Sequence, residues 1–416
     1  MKYHNYSMNI ALFSDSYLPT KSGIVTVVIQ LKRILEELGH HVVIVTVGSG
    51  KDDKSEDNNV YRVNSIPSPV GDGQYIGIPH KKEVKEFLLK HKIEIIHSHT
   101  EFFMGHMSIV VGKELKIPVV ATTHTMWEDY YKYYLFMGRL IPRRVIRKVV
   151  QQVYKRYYAF INVSKKAHDY FNRSYMLPKI PSAIIPNAID TKQFISTVVS
   201  DEEKDALRES LGIKKDDRVV LYVGRVVEEK RLDELLVIMS RVVKQRENLK
   251  MIFVGSGERE EKLRNSVIDD GLEDKIKFTG FVDWKKLHSY YAISDYFVTV
   301  SLSEMHSMTI LEALSLGLPV VCRRDTSFSD TVFHGENGYF ADSDEEMDSY
   351  LLKLCDDTET CAKMGQKALE ICKNFVLESH GIKTVSFYEE VLSKFPKKVT
   401  SAQLQNAVDN SVVIRR

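Results

Sequence analysis

The chain has 416 residues, of which 44% are hydrophobic and 27% charged, and its formal net charge is +2. This length is too great for one ordinary domain and predicts two or three. The hydrophobic content is enough for large buried cores and excludes a disordered chain, and the small net charge excludes a polycation that binds nucleic acid through its overall charge.

Short β-branched segments alternate with longer segments of helical period throughout the chain. Several of the short segments are apolar on both faces, as parallel strands covered by helices on both sides should be. The alternation indicates βαβ units, and the predicted fold class is α/β with doubly wound parallel sheets. In chain order the predicted strands are Met8–Phe13, Val42–Val47, Glu94–His97, Val119–Thr122, Phe160–Val163, Ala183–Ile185, Val219–Val223, Met251–Val254, Ile276–Phe278, Phe297–Val300, Val320–Cys322 and Gly338–Phe340.

The strand–helix pattern occurs twice, and each copy opens with a strand and a glycine-containing turn. We therefore predict two Rossmann-like domains, residues 1–190 and 217–397, which face each other across a cleft. The last helix of the second domain could pack back on the first. Residues 191–216 are polar and without a strand pattern, so they are predicted to be a linker, and residues 398–416 a flexible tail. Ligands of such sheets bind beyond the carboxyl ends of the strands.

Cysteine usage and the apolar segments predict where the protein works. No cysteine belongs to a C-x-x-C pair, and no His/Cys cluster has metal-ligand spacing, so we expect reduced thiols in a cytosolic protein without a metal site. The first residues lack the apolar core of a signal peptide, and no apolar run has the length of a spanning helix. Any membrane contact is therefore expected to be peripheral.

Three glycine-containing strand ends in the second half could approach a ligand. Arg225 follows Gly224, and Lys230 lies five residues further on; such a cation pair suits a diphosphate, although it could equally begin a solvated helix. The turn at Gly255 allows close backbone approach, but it is also an ordinary strand-to-helix turn. Backbone near Val282 could bind the edge of a flat base, or could simply end an apolar strand.

The stretch from Glu304 to Glu312 gives the strongest signal, because a predicted helix begins inside it near Met308. Unpaired N–H groups at a helix start favour an anion, and the two carboxylates can accept hydrogen bonds from sugar or ribose hydroxyls. The alternative for Glu312 is a capping box with Thr309, and that for Glu304 is compensation of the helix dipole. The N–H groups concerned belong to Met305, His306, Ser307, Met308 and Thr309.

In this order, several motifs of the chain resemble the retaining glycosyltransferases of the GT-B fold, glycosyltransferase family 4 type. They are LFSDSYLPTKSGI, HSHTEF, THTMWEDY, PNAID, GRVVEEK, VGSGE, FTGFV and the Glu304–Glu312 stretch with EALSLGLPVV. The resemblance covers nearly the whole chain. It implies a hexosyltransferase that uses a nucleotide sugar, usually a UDP-sugar, with retention by front-face attack. It also implies no obligatory metal or other cofactor, Mg²⁺ being at most stimulatory.

The resemblance also implies a role for each matching residue. Glu304 and the backbone of Met305–Met308 should bind the donor sugar, and Glu312 should bind the ribose. Arg225 and Lys230 should bind the diphosphate, and Val282 should contact the base. Gly23 should approach the diphosphate from the first domain, and His124 should lie beside the reacting sugar. The candidate catalytic residues are therefore His124, Glu304, Arg225 and Lys230. Asp15, His99, Glu101 and His124 are candidates for a general base, and each could equally be a structural strand-end residue.

The chain departs from the family pattern in two places. Met305-His306-Ser307 stands where the family often has Gly-Phe-Gly, so bulkier side chains could reshape the sugar subsite. Arg231 stands where a glycine usually follows the lysine, which should change only the start of a helix.

A basic region lies in the first half, where residues 130–168 contain Lys and Arg but no Asp or Glu. Within it Val145, Ile146, Val149, Val150 and Val153 recur at helical spacing, which predicts a basic amphipathic helix typical of anionic membrane surfaces. The alternative is a basic solvated face or a face for an acidic partner. The candidate acceptor or membrane residues are Trp127, Arg139, Arg143, Arg144, Arg147 and Lys148.

The segments HSHTEF and THTMWEDYYKYY are similar to those of bacterial diacylglycerol glucosyltransferases. This similarity implies UDP-glucose as donor, a diacylglycerol-type acceptor, and a peripheral location on the cytoplasmic face of the cell membrane. The alternatives are a GT-B enzyme acting on a polysaccharide or protein acceptor, and a non-catalytic GT-B partner subunit. The sequence does not indicate an oligomeric state.

Overall fold

The structure is a computed structural model that describes residues 7–20, 22–48, 57–67, 75–78, 80–101, 103–134, 138–173, 180–194 and 199–411. The chain forms two compact units, of which the first comprises Met1–Asn187 with Leu377–Arg416 and the second Ala188–Val376. Among the described residues, no helix has the length and apolar character needed to cross a membrane.

The first unit is built on strands of Val, Ile and Phe that are buried on both faces. Its strands are β1 (Asn9–Ser14), β2 (His41–Val47), β3 (Val60–Val63), β4 (Ser65–Pro67), β5 (Tyr75–Gly77), β6 (Ile95–Ser98), β7 (Val119–Thr123), β8 (Ala159–Asn162) and β9 (Ser182–Ile184). The helices between them are α1 (Gly23–Glu37), α2 (Lys81–Lys90), α3 (Phe103–Leu115), α4 (Trp127–Tyr134), α5 (Arg143–Tyr154) and α6 (Lys165–Phe171).

The described part of the first unit contains a seven-stranded parallel sheet in the order β3-β2-β1-β6-β7-β8-β9, and β4 pairs with β5 in a small antiparallel sheet. The order reverses between β1 and β6, which pair in register from Ile10 with Ile95 to Phe13 with Ser98. A crevice for ligands opens at such a reversal, beyond the carboxyl ends of the strands.

The second unit repeats this topology with helices on both faces. Its helices are α7 (Thr191–Phe194), α8 (Asp201–Ser210), α9 (Leu232–Gln245), α10 (Glu260–Asp269), α11 (Trp284–Ala292), α12 (Met308–Ser315), α13 (Asp344–Asp356) and α14 (Thr358–Cys372). Its strands are β10 (Arg218–Val223), β11 (Leu249–Val254), β12 (Ile276–Phe278), β13 (Tyr296–Thr299), β14 (Val320–Arg323) and β15 (Gly338–Ala341), in the order β12-β11-β10-β13-β14-β15.

Alternate residues of β10 show why the second sheet is doubly wound. Val220 and Tyr222 join one hydrophobic cluster, whereas Leu221 and Val223 join another. Side chains of a strand point alternately to opposite faces, so both faces of this sheet are covered. The reversal of strand order falls between β10 and β13.

The chain returns to the first unit at Leu377, where α15 (Leu377–Lys394) and α16 (Ser401–Ser411) pack. The second domain was predicted to extend to residue 397, whereas the second unit ends at Val376; the option that the last helix packs on the first domain agrees with the structure. Residues 398–416 were predicted to be a flexible tail. This prediction is wrong for residues 401–411, which form α16 and bury Leu404 and Val408. Gln405 of this helix accepts a hydrogen bond from the Ile184 N–H of β9.

The interval 191–216, predicted to be a linker, belongs to the second unit. Phe194 is buried in its hydrophobic core, and α8 begins with a capping box formed by Ser200 and Glu203. Arg208 of α8 donates a hydrogen bond to the carbonyl of Ile293 at 2.9 Å. The sequence pattern did not predict α8, because this helix is rich in charged residues and has no buried residue that would mark a helical period.

Candidate active site

Each predicted strand is present, and the candidate donor residues of the second unit lie at the carboxyl ends of these strands. Gly224 and Arg225 follow β10, while Glu304 follows β13, the neighbour of β10 in the sheet. Pairing of these two strands brings the two segments to the point where the strand order reverses. The predicted phosphate-binding and sugar-binding motifs therefore share one edge.

Glycines allow the strand ends of β10, β11 and β12 to approach one another. The Gly255 N–H donates to the carbonyl of Gly280 at 2.9 Å. A Cβ atom at Gly255 would lie 1.9 Å from the Gly224 carbonyl oxygen, and φ at Gly255 is +131°, so this position requires glycine. The turn at Gly255, which was predicted to approach a ligand, therefore packs closely against the backbone of Gly224 and Gly280.

Lys230 and Glu304 form an ion pair at this edge, with 2.5 Å between Nζ and Oε1. The lysine ammonium also lies 3.2 Å from the Ser303 hydroxyl, and the Ser301 hydroxyl donates to Glu304 at 3.1 Å. The pair places a cation for phosphate beside a carboxylate for sugar hydroxyls. Glu304 thus has Lys230 as a specific charged partner. Compensation of the helix dipole would not require such a partner.

Glu229 supports both cations of the candidate site. Its Oε1 atom lies 2.5 Å from Arg225 Nη2 and 4.0 Å from Lys230 Nζ. The Glu229 side chain is 3% exposed, whereas that of Arg225 is 59% exposed. A buried carboxylate therefore holds an accessible guanidinium at the strand end. Glu229 lies within the GRVVEEK motif, but the sequence pattern predicts no role for it.

Glu312 is bound by a tyrosine from a different helix. Tyr291 of α11 donates its hydroxyl hydrogen to Glu312 Oε2 at 2.7 Å, and burial raises the pKa of Glu312 to about 7. The alternative of a capping box with Thr309 is not what the structure shows. Helix α12 is capped by Ser307, whose hydroxyl accepts from the Ile310 N–H.

The residues that replace the family's Gly-Phe-Gly are buried. Met305, His306 and Ser307 are all less than 10% exposed, and His306 Nε2 lies 3.5 Å from Asp330 Oδ2. Met308 and Thr309 at the start of α12 are partly exposed. The larger side chains of Met305, His306 and Ser307 therefore pack inside the second unit. The accessible residues after Glu304 are Met308 and Thr309, at the start of α12.

Val282 lies after a strand end and Gly23 at a helix start, and their predicted roles stay predictions. Val282 follows β12 and Gly280, and packs partly buried against the core of the second unit. Gly23 is the first residue of α1, directly after the capping residue Ser22, and a Cβ atom there would meet nothing within 4 Å. In the first unit Gly23 therefore leaves open space at a helix start.

A row of histidines lies at the carboxyl edge of the first sheet. His124 Nε2 is 3.3 Å from His99 Nδ1, and the rings of His97 and His99 are 4.2 Å apart. His97 is held on one side by the Tyr388 hydroxyl and on the other by Thr122. Burial lowers the pKa of His124 to about 4, so this imidazole is neutral at neutral pH. Tyr388 comes from α15, far along the chain, and no sequence motif predicts its contact with His97.

Helix α5 contains the basic amphipathic segment predicted from sequence. Ile146, Val150 and Tyr154 are buried, whereas Val145 and Val149 are 47% and 54% exposed. Arg144 and Lys148 are exposed on the same side as these two valines. Leu140, just before the helix, is 72% exposed. The outer face of α5 therefore combines cations with apolar side chains.

Three of the candidate membrane residues have partners inside the first unit. Trp127 is 8% exposed, and its neighbour Glu128 is buried. Arg143 Nε lies 3.0 Å from Glu128 Oε1, and Arg147 Nη2 lies 2.5 Å from the same atom. This carboxylate, which the sequence analysis did not identify, fixes the inner side of α5. Arg139, Arg144 and Lys148 are exposed, and the Arg143 side chain is 52% exposed despite its ion pair.

Solved structures with the same arrangement of elements are glycosyltransferases of the GT-B fold. Anabaena Alr3699/HepE in complex with UDP has a TM-score of 0.72 at 18% identity, covering 92% of this chain and all of that one. Sucrose-phosphate synthase from Thermosynechococcus elongatus has a TM-score of 0.74 at 19% identity, covering 93% of this chain and 99% of that one. At this identity the likeness defines the class of fold, two Rossmann-like domains of the GT-B type.

Sequence comparison places the chain within that class. Residues 21–193 match the family model Glycosyltransferase Family 4, and residues 203–370 match Glycosyl transferases group 1. The alpha-monoglucosyldiacylglycerol synthase of Acholeplasma laidlawii is 31% identical over 94% of this chain and 99% of that protein. That of Streptococcus pneumoniae (strain ATCC BAA-255 / R6) is 30% identical over 76% of this chain and 70% of that protein. The chain belongs to the family 4 type of GT-B glycosyltransferases.

Proposed function

We propose that this glycosyltransferase transfers glucose from UDP-glucose to diacylglycerol at an anionic membrane surface, with retention at the anomeric carbon. The observation that carries the proposal is the 31% identity to the alpha-monoglucosyldiacylglycerol synthase of Acholeplasma laidlawii, which extends along 99% of that protein. The paired cation and carboxylate after β10 and β13 support the donor assignment. The mixed basic and apolar outer face of α5 supports the lipid acceptor.

In the proposed reaction the bond between the anomeric carbon and the diphosphate breaks, and its electron pair leaves with UDP. Arg225 and Lys230 stabilise the charge that develops on the diphosphate, because fixed cations are most effective where charge appears in the transition state. Glu304 accepts hydrogen bonds from sugar hydroxyls. With two side-chain cations for the diphosphate, no metal is obligatory in this proposal, and Mg²⁺ is at most stimulatory.

The remaining donor contacts are proposed on the same basis. Glu312 binds the ribose, Val282 contacts the uracil, and the first turn of α12 adds backbone N–H groups. Gly23 allows the first unit's α1 to approach the diphosphate, and His124 lies beside the reacting sugar as a neutral imidazole. These roles follow the family resemblance at matching positions.

Direct assay of the reaction tests the proposal. The protein is incubated with radiolabelled UDP-glucose or UDP-galactose and vesicles that contain diacylglycerol, with and without a chelator, and the lipid fraction is counted. We expect labelled lipid from UDP-glucose, with the chelator having little effect. Labelling of a polysaccharide or protein acceptor in place of lipid would overturn the assigned acceptor, and labelled lipid only from UDP-galactose would overturn the assigned donor.

We further propose that α5 brings the enzyme to the cytoplasmic face of the cell membrane. Exposed cations each contribute about 1 kcal/mol near an anionic leaflet, and the exposed Val145 and Val149 can enter the headgroup boundary. Docking of this kind is reversible and weakens as salt is added.

Removing the two exposed cations of α5 that lie beside Val145 and Val149 should weaken membrane binding. Arg144→Ala with Lys148→Ala should lower partitioning onto anionic vesicles roughly 30-fold, since two cations contribute about 2 kcal/mol together. Vesicle flotation at low and high salt measures the change. The matched control is Lys82→Ala with Lys90→Ala on α2, which removes two exposed lysines of the same unit. Equal binding of both double variants would refute docking through α5.

Replacing Glu312 of α12 by a neutral side chain should lower the affinity for the donor without lowering the stability of the fold. Glu312→Gln keeps an oxygen to accept from Tyr291 but loses the charge-assisted bond to ribose, so UDP affinity should fall about tenfold or more. Titration calorimetry with UDP measures this loss. An unchanged UDP affinity would show that Glu312 does not bind the ribose.

The same variant should be more stable than the wild type above neutral pH. The folded pKa of Glu312 is about 7, above its ordinary value, so between these two pH values the folded protein holds a proton that the unfolded chain has released. Stability therefore falls as pH rises through this window. Glu312→Gln lacks this loss and should gain on the order of 3 kcal/mol at pH 8, with little gain at pH 4. Thermal melting at both pH values tests the sign.

A further inference from the structure

The exposed basic face of α5 continues to the end of the helix. Arg144 and Lys148 lie on this face, and Lys155, the capping residue at the end of α5, follows Lys148 after two further turns. Because positions four and seven apart share one side of a helix, these three cations form a row. Arg156, the next residue, is exposed as well. The row therefore runs from the first turn of α5 to the connection before β8.

A second basic segment lies beside the end of this row. It is the connection between α15 and α16, residues 395–400, called here the α15–α16 loop. The Tyr158 hydroxyl donates to the Lys397 carbonyl, and the rings of Tyr158 and Phe395 are 5.4 Å apart. Tyr158 follows Arg156 after one intervening residue. The fold thus brings two basic segments from distant parts of the chain together within the first unit.

The α15–α16 loop is anchored on the protein while its lysines remain exposed. Val399 is 3% exposed, and the Thr400 hydroxyl accepts a hydrogen bond from the Gln403 N–H in the first turn of α16. Lys397 and Lys398 are exposed. Because the backbone is already fixed, these two lysines can bind a partner without the entropy loss of ordering a loop.

The charge where the two segments meet is strongly positive. The cations that meet there are Lys155, Arg156, Lys394, Lys397 and Lys398. Lys394, the last residue of α15, lies 3.8 Å from Glu390. Within the described part of the chain, the other four cations form no ion pair. Exposed cations that no neighbouring carboxylate neutralises attract an anionic surface.

We propose that the α15–α16 loop, together with Lys155 and Arg156, is the second half of a membrane-docking surface of the first unit. The unit then binds an anionic leaflet at two places, through the outer face of α5 and through this loop. Apolar side chains on the same surface favour a bilayer over a polyanion such as RNA, since Val145 and Val149 are 47% and 54% exposed. This inference rests on the proposed function, because it extends the docking proposed for α5.

Removing the two lysines of the loop tests the inference. Lys397→Ala with Lys398→Ala should lower partitioning onto vesicles of phosphatidylglycerol and phosphatidylcholine roughly 30-fold at low salt, the loss expected for two cations at an anionic leaflet. Both side chains are exposed, and the bond from Tyr158 goes to the backbone, so the variant keeps the contacts that anchor the loop. On vesicles of phosphatidylcholine alone, the variant and the wild type should bind equally. Flotation measures both.

The matched control is Lys82→Ala with Lys90→Ala, which removes the same charge from α2 of the same unit. Because only cations at the docking surface lie close to the leaflet, this control should bind anionic vesicles nearly as the wild type does.

A footprint of the wild type reports contact directly. Lysines are modified with an amine-reactive reagent in the presence and absence of the anionic vesicles, and mass spectrometry gives the rate at each site. Lys155, Lys397 and Lys398 should react several-fold more slowly on the vesicles, whereas Lys82 and Lys90 should react at an unchanged rate.

The inference is overturned if Lys397→Ala with Lys398→Ala loses no more binding than the control on α2, or if the loop lysines stay unprotected on vesicles. Displacement of bound vesicles by RNA at low concentration would identify a polyanion as the partner and would overturn it as well. Transfer to diacylglycerol is measured separately on the wild type. Labelled lipid with unprotected loop lysines would leave the proposed function standing, whereas protected lysines without labelled lipid would leave only the docking surface standing.

Discussion

Lys230→Met should lower kcat for glucosyl transfer by about 10²–10³-fold, the range seen when one fixed electrostatic contact to a transition state is removed. The Lys230 side chain is 15% exposed and is held by Glu304 at 2.5 Å, so its charge is positioned before the reaction begins. Methionine keeps the stem but has no charge to place on the leaving diphosphate. Affinity for UDP and for UDP-glucose should fall together, because both carry the diphosphate.

A surface lysine of the same unit gives the control for this change. Lys262 lies on α10, pairs with Asp233 at 2.6 Å, and has a side chain that is 59% exposed. Exposed ion pairs contribute little to stability, so Lys262→Met should leave kcat and donor affinity near the wild-type values. A loss of less than tenfold in Lys230→Met would show that the diphosphate is bound elsewhere.

Glu304→Ala should abolish measurable transfer, and its effect on donor binding should differ from that of Lys230→Met. Glu304 is proposed to bind the sugar hydroxyls, so affinity for UDP-glucose should fall while affinity for UDP changes much less. Hydrogen bonds to a charged group contribute about 1.5–3 kcal/mol each, which corresponds to at least a tenfold loss per contact. Calorimetry with both ligands, together with the radiolabel assay, measures the difference.

The control for Glu304 is Glu336→Ala, which removes an exposed carboxylate from the loop before β15. Thermal melting of Glu304→Ala shows whether the second unit remains folded. Its core clusters include none of the polar residues around Lys230, so we expect only a small shift in melting temperature. Full activity in Glu304→Ala would remove the basis for the assigned donor site.

Most of the architecture follows from local sequence, because alternating burial and β-branched composition are properties of short segments. Each predicted strand is present with ends that differ by a few residues, and the class of fold is confirmed. The strands that the prediction missed are β3, β4 and β5, which are short and incompletely buried. Helix α8 was missed because it has no buried residue that would mark a helical period, and α16 was missed because it buries only a few apolar residues in a polar segment.

The sequence by itself determined the two repeats of the Rossmann pattern, the order of the donor motifs and the basic character of α5. Only the tertiary structure decided which side chains meet. Lys230 reaches Glu304 because β10 and β13 are neighbours in the sheet, and Tyr291 reaches Glu312 because α11 packs beside α12. Tyr154 reaches Glu101 because the end of α5 packs at the edge of the first sheet. Such pairs join residues far apart in the chain, and their contacts depend on strand order and helix packing, which no local pattern encodes.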